Sequence, residues 1–318
     1  MARSANSLST MLAPLRRRLG IRFLIDYEPD YRKSVFLAGT ARSGTTWVSD
    51  IINYDNQYRY IFEPFNPRKV PLVKPFGWKK YLRPEERDTQ LYDIASRVLS
   101  GQIRSAWTER FNRRFVSWRR LVKDIRANLF LKWLHVNFPG LPFVLLLRHP
   151  CAVASSYAKH GWRGLVEPLL AQPSLVEDFL HPYTERITAA RDTYERAVFI
   201  WCIETLVPLR QFRRDEIHLM FYEDLICRPA EQIERLFAFL GQGPDPAAVL
   251  RRIDRPSLTS RKDSAVLVGT SRIDSWRKHV TADQLRRTLE IVELFGLDGI
   301  YAEESTPDAR AAYALMRG

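Results

Sequence analysis

The chain is short of everything that would staple, anchor or divide it. Its 318 residues include only three cysteines, Cys151, Cys202 and Cys227, an odd number without metal-like spacing. Neither a disulfide framework nor a structural metal site is expected from them. No apolar run approaches the ~18 residues of a membrane span. No apolar stretch of about 7–15 residues follows the basic N-terminus, as a secretory leader requires. The expectation is therefore a cytoplasmic protein. Its 14 glycines form no Gly/Ser tract, and no low-complexity segment or internal repeat marks a linker. Acids are scarce beside bases, 36 against 49, for a formal net charge of +13 and a pI near 9.8. That excess suits an anionic ligand, an acidic surface or nucleic acid.

Residues 34–53 read S-V-F-L-A-G-T-A-R-S-G-T-T-W-V-S-D-I-I-N. The apolar run Val35–Ala38 predicts a strand, and Trp47, Val48, Ile51 and Ile52 recur as on one face of a helix. Between them lies a small-residue loop. A strand, such a loop and a helix start form an anion cradle, because the leading N–H groups lack partners and the dipole favours negative charge. Gly44 allows close backbone approach, and Ser43, Thr45 and Thr46 add hydroxyls. Gly39 and Gly44 have the Walker A spacing, but Thr45-Thr46 stands where that motif needs lysine and then serine or threonine. The cation sits at Arg42 instead. From the loop crest it would reach beyond a first phosphate to a leaving oxygen.

A second segment bears on which phosphate ligand is bound. Phe143–Leu147 reads as a strand buried on both faces. It ends in Arg148, and His149-Pro150 leads into a helix carrying Ser156. Arg148 and Ser156 lie eight residues apart, so both can face one anion at the carboxyl end of a sheet. Two clamps imply a nucleotide phosphorylated at two places.

These segments together resemble the sulfotransferases that use 3′-phosphoadenosine 5′-phosphosulfate (PAPS). Arg42–Trp47 is similar to the family's 5′-phosphosulfate loop, and Arg148, Pro150 and Ser156 to its 3′-phosphate motif. F-Y-E-D-L at 221–225 is a third match, and the resemblance spans roughly residues 34 to 282. It implies PAPS as donor and PAP as product, without a metal. Trp47 would stack on adenine with Tyr222 nearby, and Arg42 and Lys123 would neutralise the leaving group. Many cytosolic members have a histidine base where this chain reads Lys123-Asp124-Ile125. The carbohydrate and tyrosylprotein type uses a glutamate, and Glu63, 21 residues beyond Arg42 in Y-I-F-E-P-F, is the candidate here. Asp124 or a histidine is the alternative. Partial burial is expected to raise the Glu63 pKa toward working pH. Trp276 fits the family's late lid, but the preceding Arg-Lys-Gly is absent. Ser271 and Arg272, or Arg261-Lys262, are the candidates to complete the 3′-phosphate site.

The implied architecture is one α/β domain with a central parallel sheet flanked by helices, in the P-loop-like sulfotransferase arrangement. Strands are expected near 34–38, 58–62, 143–148 and 217–222. Helices are expected near 45–54, 87–100, 126–137, 151–159, 186–212, 229–240 and 282–295, with Pro208 kinking or ending its helix. A basic extension over 1–30, a sulfotransferase domain over 31–300 and a tail over 301–318 complete the division. Arg16-Arg17-Arg18 among leucines reads first as a frayed, solvated terminal helix and, as the alternative, would allow peripheral contact with the inner membrane face. The stretches 64–118 and 160–184 would shape the acceptor pocket. Arg113-Arg114 and Arg119-Arg120 around Trp118 read as a solvated helix face or, with Trp78 and Trp107, as a surface for sugar rings.

The leading expectation is sulfuryl transfer to an acceptor hydroxyl on a carbohydrate or glycolipid. Peptidyl tyrosine and small phenols are rival acceptors. A P-loop kinase is disfavoured by Thr45, and nucleic acid, supported by charge alone, is not expected as a partner.

Overall fold

The computed structural model describes residues 24–253 and 273–316. The Arg16–Arg18 segment and Arg261, Lys262, Ser271 and Arg272 lie outside the described residues.

Five strands form one parallel sheet: β1 Ser34–Gly39, β2 Arg59–Phe62, β3 Arg120–Asp124, β4 Phe143–Leu147 and β5 His218–Phe221, in the order β2-β3-β1-β4-β5. Side chains alternate between its faces, and both faces are apolar. Phe36, Ala38, Ile61, Val122, Phe143, Leu145 and Leu219 enter one core, while Val35, Leu37, Tyr60, Leu121, Val144, Leu146 and Met220 enter the other. Neighbours on both sides explain why β1 and β4 read as continuous apolar runs.

Helices cover both faces. On the second core lie α1 Thr45–Ile52 and α7 Pro229–Phe239; on the first lie α2 Thr89–Leu99, α3 Leu131–Asn137, α4 Pro150–Lys159 and α5 Thr193–Gln211. A short α6, Tyr222–Cys227, follows β5, and α8 Ala282–Leu294 packs on α5. The helix expected from 186 is two pieces, Thr184–Thr188 and α5. Asp192 breaks it by capping α5, accepting from the Glu195 amide at 2.8 Å. Helix α5 runs three residues beyond Pro208. The carbonyl of Glu204 that Pro208 cannot engage accepts from Asn128 Nδ2 at 3.4 Å instead. Beyond residue 300 the chain packs closely: Tyr301 and Ala312 are fully buried in the first core.

Strand β3 lies between β1 and β2 and is absent from the sequence expectation. The neighbouring arginines also differ from a solvated face. Arg120 is fully buried and pairs with Asp26, whose Oδ2 also takes Arg59 Nη1 at 3.0 Å. Arg59 Nη2 meets Glu109 Oε1 at 2.7 Å. This network braces the amino ends of β2 and β3. Trp118 lies there too, beside Arg114 and 48% exposed, so it is at the opposite end of the strands from the glycine loop.

Among the described residues, no helix is long and apolar enough to cross a membrane.

Candidate active site

Strand β1 delivers the chain into a turn, Thr40–Gly44, at the carboxyl end of the sheet, where the strand order reverses. This is the position that open α/β sheets use for ligands. Gly44 has φ 103°, and a Cβ there would stand 2.8 Å from the Tyr222 ring. Only glycine meets both conditions. No side chain caps α1, so its leading amides are left for an anion. The Ser43 Oγ is buried without a hydrogen-bond partner among the described residues, and Thr45 and Thr46 are buried beside it.

The second segment closes on this turn. Arg148, just past β4, donates from Nη1 to the Arg42 carbonyl at 3.2 Å. Arg42 Nε donates to Ser156 Oγ at 2.9 Å, drawing its guanidinium toward α4. The Arg148 Cζ lies 4.1 Å from the Tyr222 ring centroid, and its Nε is buried and unpartnered among the described residues. Arg42, Ser43, Gly44, Arg148, Ser156 and Tyr222 are thus brought together. Unsatisfied donors at Ser43 and Arg148 fit a phosphorylated ligand, because a buried donor without an acceptor is costly. Trp47 is 6% exposed and its ring lies 5.2 Å from that of Tyr222.

The Arg148 turn is itself held from below. Trp201 Nε1 donates to the Arg148 carbonyl at 2.9 Å, and the His149 amide to Glu223 Oε1 at 3.0 Å. His149 stacks on Trp276 at 4.5 Å. Burial pulls its pKa down to about 4, so the ring is neutral and its Nδ1 accepts from the Cys151 amide.

Glu63 follows β2 with φ 43°, a left-handed turn that redirects its side chain across β3. Its Oε1 meets Lys123 Nζ at 2.8 Å and its Oε2 meets Arg126 Nη1 at 2.9 Å. The expected rise in pKa does not occur. Burial works to raise it, but Lys123 and Arg126 outweigh burial, and the carboxyl is held below its ordinary value. Burial weighs more on Lys123, bringing its ammonium below the usual lysine range despite Glu63. Asp124 faces elsewhere: its two oxygens accept from the amides of Phe65 at 2.8 Å and Arg126 at 2.7 Å. Burial raises its pKa to about 6. It pins the turn carrying Glu63.

Beside these groups is a cavity of about 470 Å³, lined by Ala41 of the glycine loop, Arg126, and residues of the two stretches expected to shape an acceptor pocket. These include Arg68, Trp78 and Lys79 from the first and Trp162, Arg163 and Gly164 from the second. Trp107 lies apart from the lining, donating from Nε1 to the Glu63 carbonyl at 3.0 Å. Among the described residues, the non-glycine residues with positive φ are Arg42, Asn56, Glu63 and Lys79. Three of those four border this region. Such backbone costs about 1–3 kcal/mol per residue and collects at functional sites.

Arg126 is a site neighbour that the sequence reading missed, and Arg68 and Trp162, within the stretches expected to shape the acceptor pocket, were not named individually. Arg126 had one signal, its place two residues past Asp124, but without β3 assigned nothing aimed it at Glu63. Among the described residues, no group of three or more His, Cys, Asp or Glu is placed to hold a metal ion.

A family model described as the sulfotransferase family matches residues 34–245, and the chain belongs to that family; it is a sulfotransferase. The nodulation protein NoeE of Sinorhizobium fredii is 26% identical over 304 residues, covering 89% of this chain and 69% of that protein. Among solved structures, the sulfotransferase domain of the Synechococcus PCC 7002 olefin synthase is 19% identical, with coverage of 83% of this chain and 94% of that one and a TM-score of 0.48. Mouse sulfotransferase SULT7A1 complexed with PAP is 15% identical, with coverage of 92% and 90% and a TM-score of 0.46.

Proposed function

We propose that the chain transfers a sulfuryl group from PAPS to a hydroxyl of a carbohydrate or glycolipid, with Glu63 as the base. The observation that carries this reading is the meeting of Arg148 and Ser156 with Arg42 of the glycine turn. Two anion-binding segments, 106 residues apart in sequence at Arg42 and Arg148, close on one place. A donor with a 3′-phosphate and a 5′-phosphosulfate matches that arrangement.

The donor supplies an activated sulfuryl group on a phosphate that leaves with the bonding electrons. The α1 amides, Ser43, Thr45 and Thr46 would hold its 5′ end, and Arg148 and Ser156 its 3′-phosphate. Arg42, between the two, would turn from Ser156 toward the leaving oxygen. A cation brought to where charge develops lowers the barrier. Lys123 and Arg126 keep Glu63 ionised, as a base must be. An acceptor hydroxyl that replaces Arg126 on Oε2 would give its proton to the carboxylate. Tyr157 and Trp162 in the cavity wall support an acceptor with rings.

Calorimetric titration with PAP, and with ATP in the presence and absence of Mg²⁺, tests the donor. Metal-independent PAP binding is expected, and tight ATP binding that requires Mg²⁺ would overturn the reading. Incubation with radiolabelled PAPS and panels of saccharides, glycolipids, tyrosyl peptides and phenols tests the acceptor.

A further inference from the structure

The cavity wall is unevenly charged. Its buried cations are matched, Lys79 with Glu204 at 2.6 Å and Arg126 with Glu63 at 2.9 Å. Its exposed cations are not: Arg68 and Arg163 meet no carboxylate among the described residues. Two positive charges are therefore left over at the rim. Trp78 explains how one is held. The Arg68 Cζ lies 5.2 Å from the Trp78 ring and the Arg126 Cζ 4.8 Å from it. A guanidinium stacked on an indole keeps its N–H edge free for a planar oxyanion and loses little freedom when it binds one. The same contacts occupy the indole that a neutral sugar ring would use. A second observation points the same way. Arg126 is 8% exposed and lines the cavity, yet its Nε has no partner among the described residues. One buried donor and two rim cations thus await an acceptor of hydrogen bonds.

Resting on the acceptor reading above, we infer that the acceptor is itself acidic: it carries a carboxylate or an ester oxyanion beside the hydroxyl to be sulfated, held by Arg68, Arg163 and the Nε of Arg126. Binding of that group also competes for Arg126 and loosens its hold on Glu63. An acidic acceptor thereby frees the base that acts on it, whereas a neutral one leaves Glu63 masked.

The test uses a matched pair, a glucuronate-containing tetrasaccharide and its carboxyl-reduced counterpart, with the full chain loaded with PAP. Calorimetry is expected to give at least about tenfold tighter binding of the acidic member, with an affinity that falls as salt rises. Arg68→Gln and Arg163→Gln should each remove most of that preference. Their PAP affinity, measured in parallel, should match that of the unaltered protein and so establishes that they fold. Equal affinity for the two saccharides, binding of neither, or variants that keep the preference would each overturn the inference. Failure of PAP itself to bind the unaltered protein is a different result and would instead sink the donor reading.

Discussion

Two glutamates sit just beyond the two edge strands of one sheet, and their surroundings have driven them apart. Glu63 follows β2 and Glu223 follows β5; both are buried, at 7% and 1% exposure. Glu63 faces Lys123 and Arg126, and its pKa falls. Glu223 accepts from neutral donors, the His149 amide and the Tyr301 hydroxyl at 2.8 Å, and burial raises it to about 7. Burial raises both and Arg148 also bears on Glu223, so the difference comes from the two cations bonded directly to Glu63. One carboxylate is kept charged by the two cations bonded to it. The other is enclosed and holds up the turn on which Arg148 stands.

The sharpest way to break this contrast is to neutralise each carboxylate in turn. Glu63→Gln should leave PAP affinity intact while kcat falls by about 10²-fold or more. Glu223→Gln should turn over at close to the native rate, because an amide can serve both hydrogen-bond partners. Equal losses in the two variants would make Glu63 another brace. Next in size is Arg148→Ala, which removes a charge-assisted clamp and should weaken PAP binding by about tenfold to a hundredfold. Unchanged PAP affinity in calorimetry would remove Arg148 from the donor site.

A smaller effect reads the cations beside Glu63. Because that carboxyl lies below its ordinary 4.5, the acid limb of the kcat/KM profile should fall below pH 4.5. In Arg126→Gln the limb should move to higher pH, since a lowering charge is gone while burial remains. A pH profile that keeps its acid limb in place would detach Arg126 from the base.

The same contrast marks what can be read from a sequence. The glycine turn, Arg148 and Ser156 are legible because each is local: a strand, a turn and a helix start lie within 20 residues of each other. Strand β3 is not. Its R-L-V-K-D carries three charges in five residues, a pattern that argues against a buried central strand. Each charge is matched from far away, Arg120 by Asp26 across 94 residues and Lys123 by Glu63 across 60, and Asp124 by the Phe65 amide. Partners at that distance have no period to betray them. Glu63 is singled out by its place before Pro64, but the direction of its pKa is not legible there, because nothing local puts Arg126 beside it.

The least effect concerns stability rather than turnover, and it isolates Glu223. Its pKa is raised from 4.5 to about 7, so the fold prefers the protonated form. That contribution is complete below pH 4.5, is lost as pH rises through 7, and amounts to on the order of 3 kcal/mol. His149, pulled down by burial from 6.5 to about 4, has the reverse slope: its contribution is present above 6.5 and fades as pH falls toward 4. Between pH 4.5 and 6.5 the two oppose each other, so the unaltered protein alone would reveal neither. Glu223→Gln deletes one and leaves the other. Its Tm relative to the unaltered chain should therefore climb from pH 4.5 to about 7 and then level. A difference that stays flat across that range would mean that Glu223 ionises as an ordinary glutamate, and the contrast with Glu63 would then rest on hydrogen-bond geometry alone.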